Sequence, residues 1–450
     1  MTMFETFTPW ALFVDLGLIS LLLLVGQLLR AKVKLIQQMF IPPSLIAGLL
    51  GLTFGPNGLG WLPFSGELGS YASILIAIVF AALPLSSSPA PLKEILRTSG
   101  PMWAYAQLGM LLQWGIVGLI GLFVINAIWP DLHSAFAMMF PVGFYGGHGT
   151  AAAVGSAFEG LDWEEARSLG MMTATIGVIC AICGGLLLIK WATRNKQTAF
   201  ISDFSELPDE FRSGLVAPSK QAPIGKETTS SISIDSLTFH VAIICLAALM
   251  GYLCSRGVKA LYPKLELPVF SCAFVFGLVI KRLFDAVRAS KYICPQTTKR
   301  IGSLATDLLV AFGVASIKLS VIVKYAVPLI VLLVVGIIVV FLITFYLGRR
   351  LSKNYWFERT IFAWGWWTGT MAMGIALLRI VDPKSESKAM EDYALAYLPI
   401  APIEIALITL MPILFVNGLG VWLLVACLAL AAITILIAWR MKWFIPRDKR

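Results

Sequence analysis

The chain has 450 residues, 58% of them hydrophobic and only 13% charged, a balance far from that of soluble globular domains and expected of a protein that crosses a membrane many times. A formal net charge of +10 would suit nucleic acid, yet the lysines and arginines are scattered through short loops with no basic face or recognition motif, which argues against that partner. Seven cysteines, an odd number lying mostly in apolar segments, argue against a secreted disulfide framework.

In chain order, the N-terminal stretch carries Glu5, no basic cluster and no small-residue cleavage pattern, so its apolar run reads as a first span and not as a removable signal peptide. A helix needs about 20 apolar residues to cross a bilayer. The segments that meet this are 11–29, 70–88, 102–127, 167–191, 237–255, 302–323, 326–347, 392–416 and 419–440. Two shorter runs, 43–56 and 268–281, are bounded by Pro42 and Pro268 and are expected to lie obliquely or partly buried. Cys180 and Cys183 form a C-x-x-C in the fourth span. A zinc ribbon would need a second pair and a redox dithiol a βαβ context, so the two read as small residues in a packed helix.

Two further segments, 134–157 and 357–380, are interrupted by glycine. The first holds Phe144-Tyr145-Gly146-Gly147-His148-Gly149-Thr150, and the second Trp367-Thr368-Gly369-Thr370. Each glycine costs about 1 kcal/mol of helix propensity relative to alanine, so both helices are expected to break. In hydrocarbon such a break is tolerated only where the freed amides and carbonyls are shielded by protein or line a polar cavity. Residues 192–236, polar with Pro, Ser and Thr and without apolar periodicity, read as a flexible linker between two halves.

The halves resemble one another. Pro42 is followed nine residues on by Gly51, and Pro268 nine residues on by Gly277; Gly149-Thr150-Ala151-Ala152 and Gly369-Thr370-Met371-Ala372 share G-T-x-A. Each half runs long span, short Pro-initiated span, span, long span, broken segment, span. With the N-terminus outside, only Arg167, Arg256, Lys259, Lys264, Lys318 and Lys324 of the 35 basic residues lie outside, the orientation favoured by the positive-inside rule. Five spans per half then put the halves in opposite orientations, so that the first broken segment dips in from outside and the second from inside. The expected fold is an all-α membrane protein of two inverted-topology repeats of five transmembrane helices, 1–191 and 237–417, each with a re-entrant glycine-rich segment. A cytoplasmic linker, 192–236, joins them, and 418–450 adds an extra C-terminal helix with a basic, cytoplasmic tail. Secondary transporters are built this way, with the site where broken helices meet.

The run G-G-H-G-T, followed by Ala174-Thr175-x-Gly177 and Gly184-Gly185, resembles the bacterial sodium/glutamate symporters. Ile41-Pro42, Leu267-Pro268-x-Phe270-x-Cys272 with Gly277, and Ile317-Lys318-Leu319 are similar to further points along the same proteins, so the likeness covers nearly all of the chain outside the linker and the extra helix. The resemblance implies Na+-driven uptake of an amino-acid anion across the bacterial inner membrane by a homodimer, with Na+ as coupling ion and no organic cofactor. Its re-entrant segments would meet at the substrate, and a transport core would move against a scaffold. The second broken segment departs from the family, carrying Trp364, Trp366 and Trp367 ahead of Thr368-Gly369-Thr370, which bears on the substrate more than on the fold.

A carboxylate carrier needs donors for an anion and oxygens for a hard cation. Amides freed at Gly146, Gly147 and Gly149, opening a half-helix from Thr150 to Phe158, would attract the anion, and Thr368, Gly369 and Thr370 would do so from the other side. The alternative is glycines that merely allow close helix packing. His148 either donates to a substrate carboxylate, orients a threonine hydroxyl or satisfies a carbonyl exposed by the break. Intramembrane acids are costly and are candidates for function. Asp307 and Glu404, with the Thr175 hydroxyl, are the candidate Na+ ligands, the alternative for Asp307 being an ion pair with Lys299 or Arg300. Asp15 reads as close to the outer surface, snorkelling or capping. Arg379 is a candidate counter-charge for a substrate carboxylate, or else a partner of Asp382 or an anchor at the inner surface. Ser86-Ser87-Ser88 mark an unwound span end or a plain helix terminus.

Rival functions are a carrier of 2-hydroxycarboxylates such as citrate or malate, an ion channel, and a membrane sensor, which the linker is too short to equip with an output domain. The chain has no G-x-x-x-x-G-K-[ST] for an ATP-driven pump and no H-E-x-x-H for a metalloprotease.

Overall fold

The computed structural model describes residues 8–39, 41–86, 92–200, 213–230, 232–261, 267–382 and 386–445. Helix α1 (Pro9–Lys32) starts at Thr8, whose hydroxyl accepts from the Ala11 amide at 3.2 Å, with Pro9 at the first helical position. It is followed by α2 (Pro43–Phe54), α3 (Leu68–Ser86) and α4 (Leu92–Ile120), which continues through a widened turn at Gly121–Ile125. The first broken segment is a pair, α5 (Met139–Phe144) and α6 (Gly147–Glu159), and α7 (Glu165–Arg194) follows. Further along the chain come α8 (Ser236–Leu261), α9 (Val269–Ala286), α10 (Pro295–Ala315) and α11 (Ala326–Leu351). The second broken segment is α12 (Trp356–Thr368) and α13 (Met371–Val381), followed by α14 (Ala389–Val416) and α15 (Gly420–Arg440). Among the described residues there is no strand.

Among the described residues, eight helices are long and apolar enough to cross a membrane, lying in α1, α3, α4, α7, α8, α11, α14 and α15. Their outer faces expose large apolar side chains such as Leu24, Leu28, Ile338, Leu342, Trp422 and Leu436. Such a surface would be an aggregation hazard in water and suits contact with lipid. The protein is an integral membrane protein.

The span expected at 302–323 takes another form. Helix α10 starts earlier, at Pro295, and ends at Ala315. Lys318 is extended and its amide donates to Ser168 Oγ at 3.1 Å, after which a single turn, Leu319–Lys324, precedes α11. Asp15 does not snorkel to solvent. It is buried in α1 and accepts from the Ser65 amide at 2.9 Å, the Ser65 hydroxyl and the Tyr71 hydroxyl at 2.9 Å, which ties the start of α3 to α1. All seven cysteines are free. Of the three serines at the end of α3, Ser87 and Ser88 lie outside the described residues, as do Glu5 and the tail beyond 445, and Ser86 donates to the Leu83 carbonyl at 2.9 Å.

The helices pack as two groups. Helices α1, α2 and α3 lie with α8, α9 and α10, while α4 to α7 lie with α11 to α15. In the first group each short Pro-initiated helix packs on the third helix of the other half, α2 on α10 and α9 on α3. The glycines set nine residues after the prolines make these contacts. A β-carbon at Gly51 would sit 2.8 Å from Ala315 Cβ, and one at Gly277 would sit 2.7 Å from the Ala81 carbonyl oxygen. Only glycine lets those backbones approach so closely.

Candidate functional site

Helix α7 sets the frame, being about 45 Å long at 1.5 Å per residue. At its Glu165 end, the His133 ring stacks on Trp163 at 4.0 Å between centroids. His133 precedes the first broken segment and Trp163 follows it, so both ends of α5–α6 lie together there. At the other end of α7, the Ala199 amide donates to Glu358 Oε1 at 2.7 Å, beside the start of α12. Arg359 there donates to Asp392 Oδ2 at 2.6 Å and to the Ser387 carbonyl at 3.1 Å, which brings the start of α12 to the chain that follows α13. The ends of the first broken segment therefore lie at one end of α7, and the start of the second lies at the other.

Their tips meet against the middle of that helix. Trp364 Nε1 donates to the Ala181 carbonyl at 3.2 Å. Gly177 lies so close to the Thr368 carbonyl that a β-carbon would overlap it. Gly147 has φ +65, a left-handed conformation that costs other residues strain, and a β-carbon there would lie 3.3 Å from the Gly369 carbonyl oxygen. Helix α6 begins at Gly147, ahead of the Thr150 start expected from sequence. The first amides of a helix have no partner inside it, so a glycine in the first turn is far less costly than one in the middle. Thr370 is extended and caps α13, its hydroxyl accepting from the Met373 amide at 3.3 Å.

Between the tips is a cavity of about 280 Å³, near the lower end of the range for small-molecule sites, about 300 to 1,000 Å³. Gly146, Gly147, His148, Gly149 and Thr150 line it from one side, with Gly369 and Thr370 from the other and Glu404 from α14. The N-termini of α6 and α13 both end at this cavity, so free amides and the positive ends of two helix dipoles converge on it. Its other wall comes from the first group of helices, through Ile76, Val79, Phe80 and Leu83 of α3 and Thr306 and Val310 of α10. Val79, Leu83 and Thr306 are shared with a second cavity of about 360 Å³ that runs past Ser86, Thr298, Lys299 and Ser303. On the side toward Trp163, Arg167 pairs with Glu159 and donates to Ser73 Oγ at 2.6 Å, and Ser156 donates to the same hydroxyl at 2.8 Å.

The remaining candidates lie outside this lining. The Thr175 hydroxyl sits behind His148 and donates to the Met171 carbonyl at 2.9 Å. That uses its only proton, so the His148 ring, 3.1 Å away, donates to it from Nε2. Thr368 is fully buried and donates to the Trp364 carbonyl at 2.6 Å. Asp307 does not line the central cavity; it borders the second cavity, beside Thr306, and a third, of about 650 Å³, with Ser44, Gln27 and Arg30. Asp307, Glu404 and Thr175 thus line no common space. Arg379 is half-buried in the last turn of α13, where a cation complements the helix dipole, while Asp382 accepts from the Glu386 and Ser387 amides at 2.9 Å each.

Sequence reasoning did not single out Tyr145, Trp366, Tyr397 or Thr306 as site residues, yet all of them line the central cavity. Tyr397 could have been found, since it lies seven residues before Glu404 on one helix and therefore on the same face. Of the three tryptophans noted in the sequence only Trp366 lines the cavity. Trp364 bonds α7, and Trp367 packs on Tyr105 at 4.8 Å.

A family model described as sodium/glutamate symporter matches residues 12–366. Curated relatives named sodium/glutamate symporter from Escherichia coli strain K12 and from Shigella flexneri are each 23% identical over 345 residues, spanning 75% of this chain and 80% of theirs. One of the same name from Haemophilus influenzae is 22% identical over 350 residues, spanning 76% and 81%. The matched stretch ends at Trp366, so the second G-T-x-A and Glu404 lie beyond it. With most of its length matched, the chain belongs to the sodium/glutamate symporter family.

Proposed function

We propose that the protein is a secondary active transporter that couples Na+ entry to uptake of glutamate or a related amino-acid anion, with the cavity between the two breaks as its substrate site. The observation that carries this reading is the convergence of two helix N-termini, at Gly147 and Met371, on one small cavity lined by G-x-H-G-T on one side and G-T on the other. An anion there meets unpaired amides and two favourable dipole ends, the arrangement by which broken helices bind carboxylates. The relatives are named for sodium and glutamate. Na+ takes oxygen ligands, as hard cations do. Asp307 is the first candidate for it, because its carboxylate borders the cavity joined to the substrate site through Thr306.

In this reading the two broken segments are re-entrant and the halves are inverted repeats. Supporting it are the opposite ends of α7 at which the segments begin and the exchange of Gly51 and Gly277 contacts between halves. Alternating access would be movement of α4–α7 with α11–α15 against α1–α3 with α8–α10. The substrate cavity lies on the boundary between the two groups. The cavity past Ser86 and Lys299 is then the path to the cytoplasmic side, and the Arg167–Glu159 pair is the closed outer side. The outside N-terminus follows from the charge bias, whereas the homodimer and the bacterial inner membrane enter from the family alone. Purified protein in liposomes is expected to take up glutamate or aspartate faster with an inward Na+ gradient than without. The reading falls if no member of a panel of glutamate, aspartate, citrate and malate shows Na+-stimulated uptake.

A further inference from the structure

The cavity has an acidic, aromatic end that anion binding leaves unused. Glu404 is 9% exposed, and its Oε2 accepts a hydrogen bond from Tyr397 Oη at 2.9 Å. Tyr145, 3% exposed, lines the same cavity, and its Oη has no hydrogen-bond partner among the described residues. The Trp366 ring stands 5.0 Å from that of Tyr145 and 5.9 Å from that of Tyr397, between centroids. No lysine or arginine is among the residues that line the cavity.

A ligand that carries only negative charge would meet a buried carboxylate with no cationic side chain in the lining to offset the repulsion. The site therefore calls for a ligand with a positive group at this end. An ammonium answers each feature, since it donates to the carboxylate and to the free Tyr145 hydroxyl, and the ring faces attract it. A hard metal cation wants a shell of oxygens, and one flank here is an indole ring. We propose that Glu404, with Tyr145 and Tyr397, receives the ammonium group of an amino-acid substrate opposite the helix ends that take its carboxylate. Glu404 thereby determines selection of amino acids over carboxylates of the same shape that lack the amine. The proposal rests on the cavity being the substrate site.

Glutamate, 2-hydroxyglutarate and glutarate share a skeleton and differ only at the second carbon, so they isolate the amine. In proteoliposomes carrying the full chain, competition against labelled glutamate uptake is expected to favour glutamate by about 100-fold or more, as in sites built around a substrate hydrogen bond. Glu404→Gln is expected to cut that advantage at least about tenfold while the thermal stabilisation given by Na+ alone is kept. Tyr145→Phe removes a hydroxyl with no hydrogen-bond partner among the described residues, so it should fold normally and still lower the advantage about threefold; if Glu404→Gln does not fold, it decides the matter alone. Equal competition by all three compounds in the unmodified protein, or an unchanged advantage in the variants, overturns the proposal. So does loss of Na+-only stabilisation in Glu404→Gln, which would make the carboxylate a metal ligand. If none of the three compounds is taken up or stabilises the protein, the assignment of the cavity itself fails, an outcome distinct from the other three.

Discussion

The Thr175 hydroxyl spends its proton on the Met171 carbonyl and accepts from His148, so a residue 27 positions on in sequence holds the imidazole at the cavity wall. Removing the acceptor leaves a buried N–H without a partner, at a cost of about 1–3 kcal/mol. Thr175→Val is therefore expected to lower the melting temperature of the detergent-solubilised protein by several degrees, and Thr175→Ser to restore it; equal melting of Val and Ser variants would contradict the assigned bond. His148, Thr150 and Thr370 were legible as candidates because glycine next to a polar residue inside an apolar segment has few bland explanations. Trp366 was not distinguishable from Trp364 or Trp367. Three aromatics within four positions point to different sides of one helix, and only the packing of α7, α4 and α14 around it decides which side holds the cavity.

At the scale of elements, breaks and spans were readable because glycine, proline and apolar length act locally. Residues 357–380 became α12 and α13 with the gap at the glycine of Gly369-Thr370. The run 302–323 failed because a tertiary contact, the Lys318 amide on Ser168, replaces the next helical bond. A second tertiary device pins the mouth of the first broken segment. His133 stacks on Trp163 and accepts from the Ala135 amide through Nδ1 at 3.1 Å, which requires that nitrogen unprotonated. Burial holds this histidine below its ordinary value, with the charge of Glu165 opposing. The unfolded chain thus binds the proton more readily, and stability present above about pH 6.5 is lost as pH falls below it. Between pH 7.5 and 5.5 the melting temperature is expected to drop less in His133→Phe than in the unmodified protein. An identical drop in both would remove His133 from the account.

For the whole molecule, the charge bias and the paired Pro and Gly positions carried the expectation of two halves. The grouping of helices could not be read from sequence, because Gly51 and Gly277 contact partners more than 190 residues away in the other half. The central cavity is lined by helices of both groups. The central claim is that the two breaks form one substrate site. The most direct measurement of it is Na+-dependent thermal stabilisation of the purified protein across glutamate, aspartate, citrate and malate, since a ligand present at about 100 times its Kd adds roughly 2.7 kcal/mol to the folded state. The account expects a shift with an amino-acid anion that is lost in both Thr150→Val and Thr370→Val; a full shift retained in both variants would contradict it.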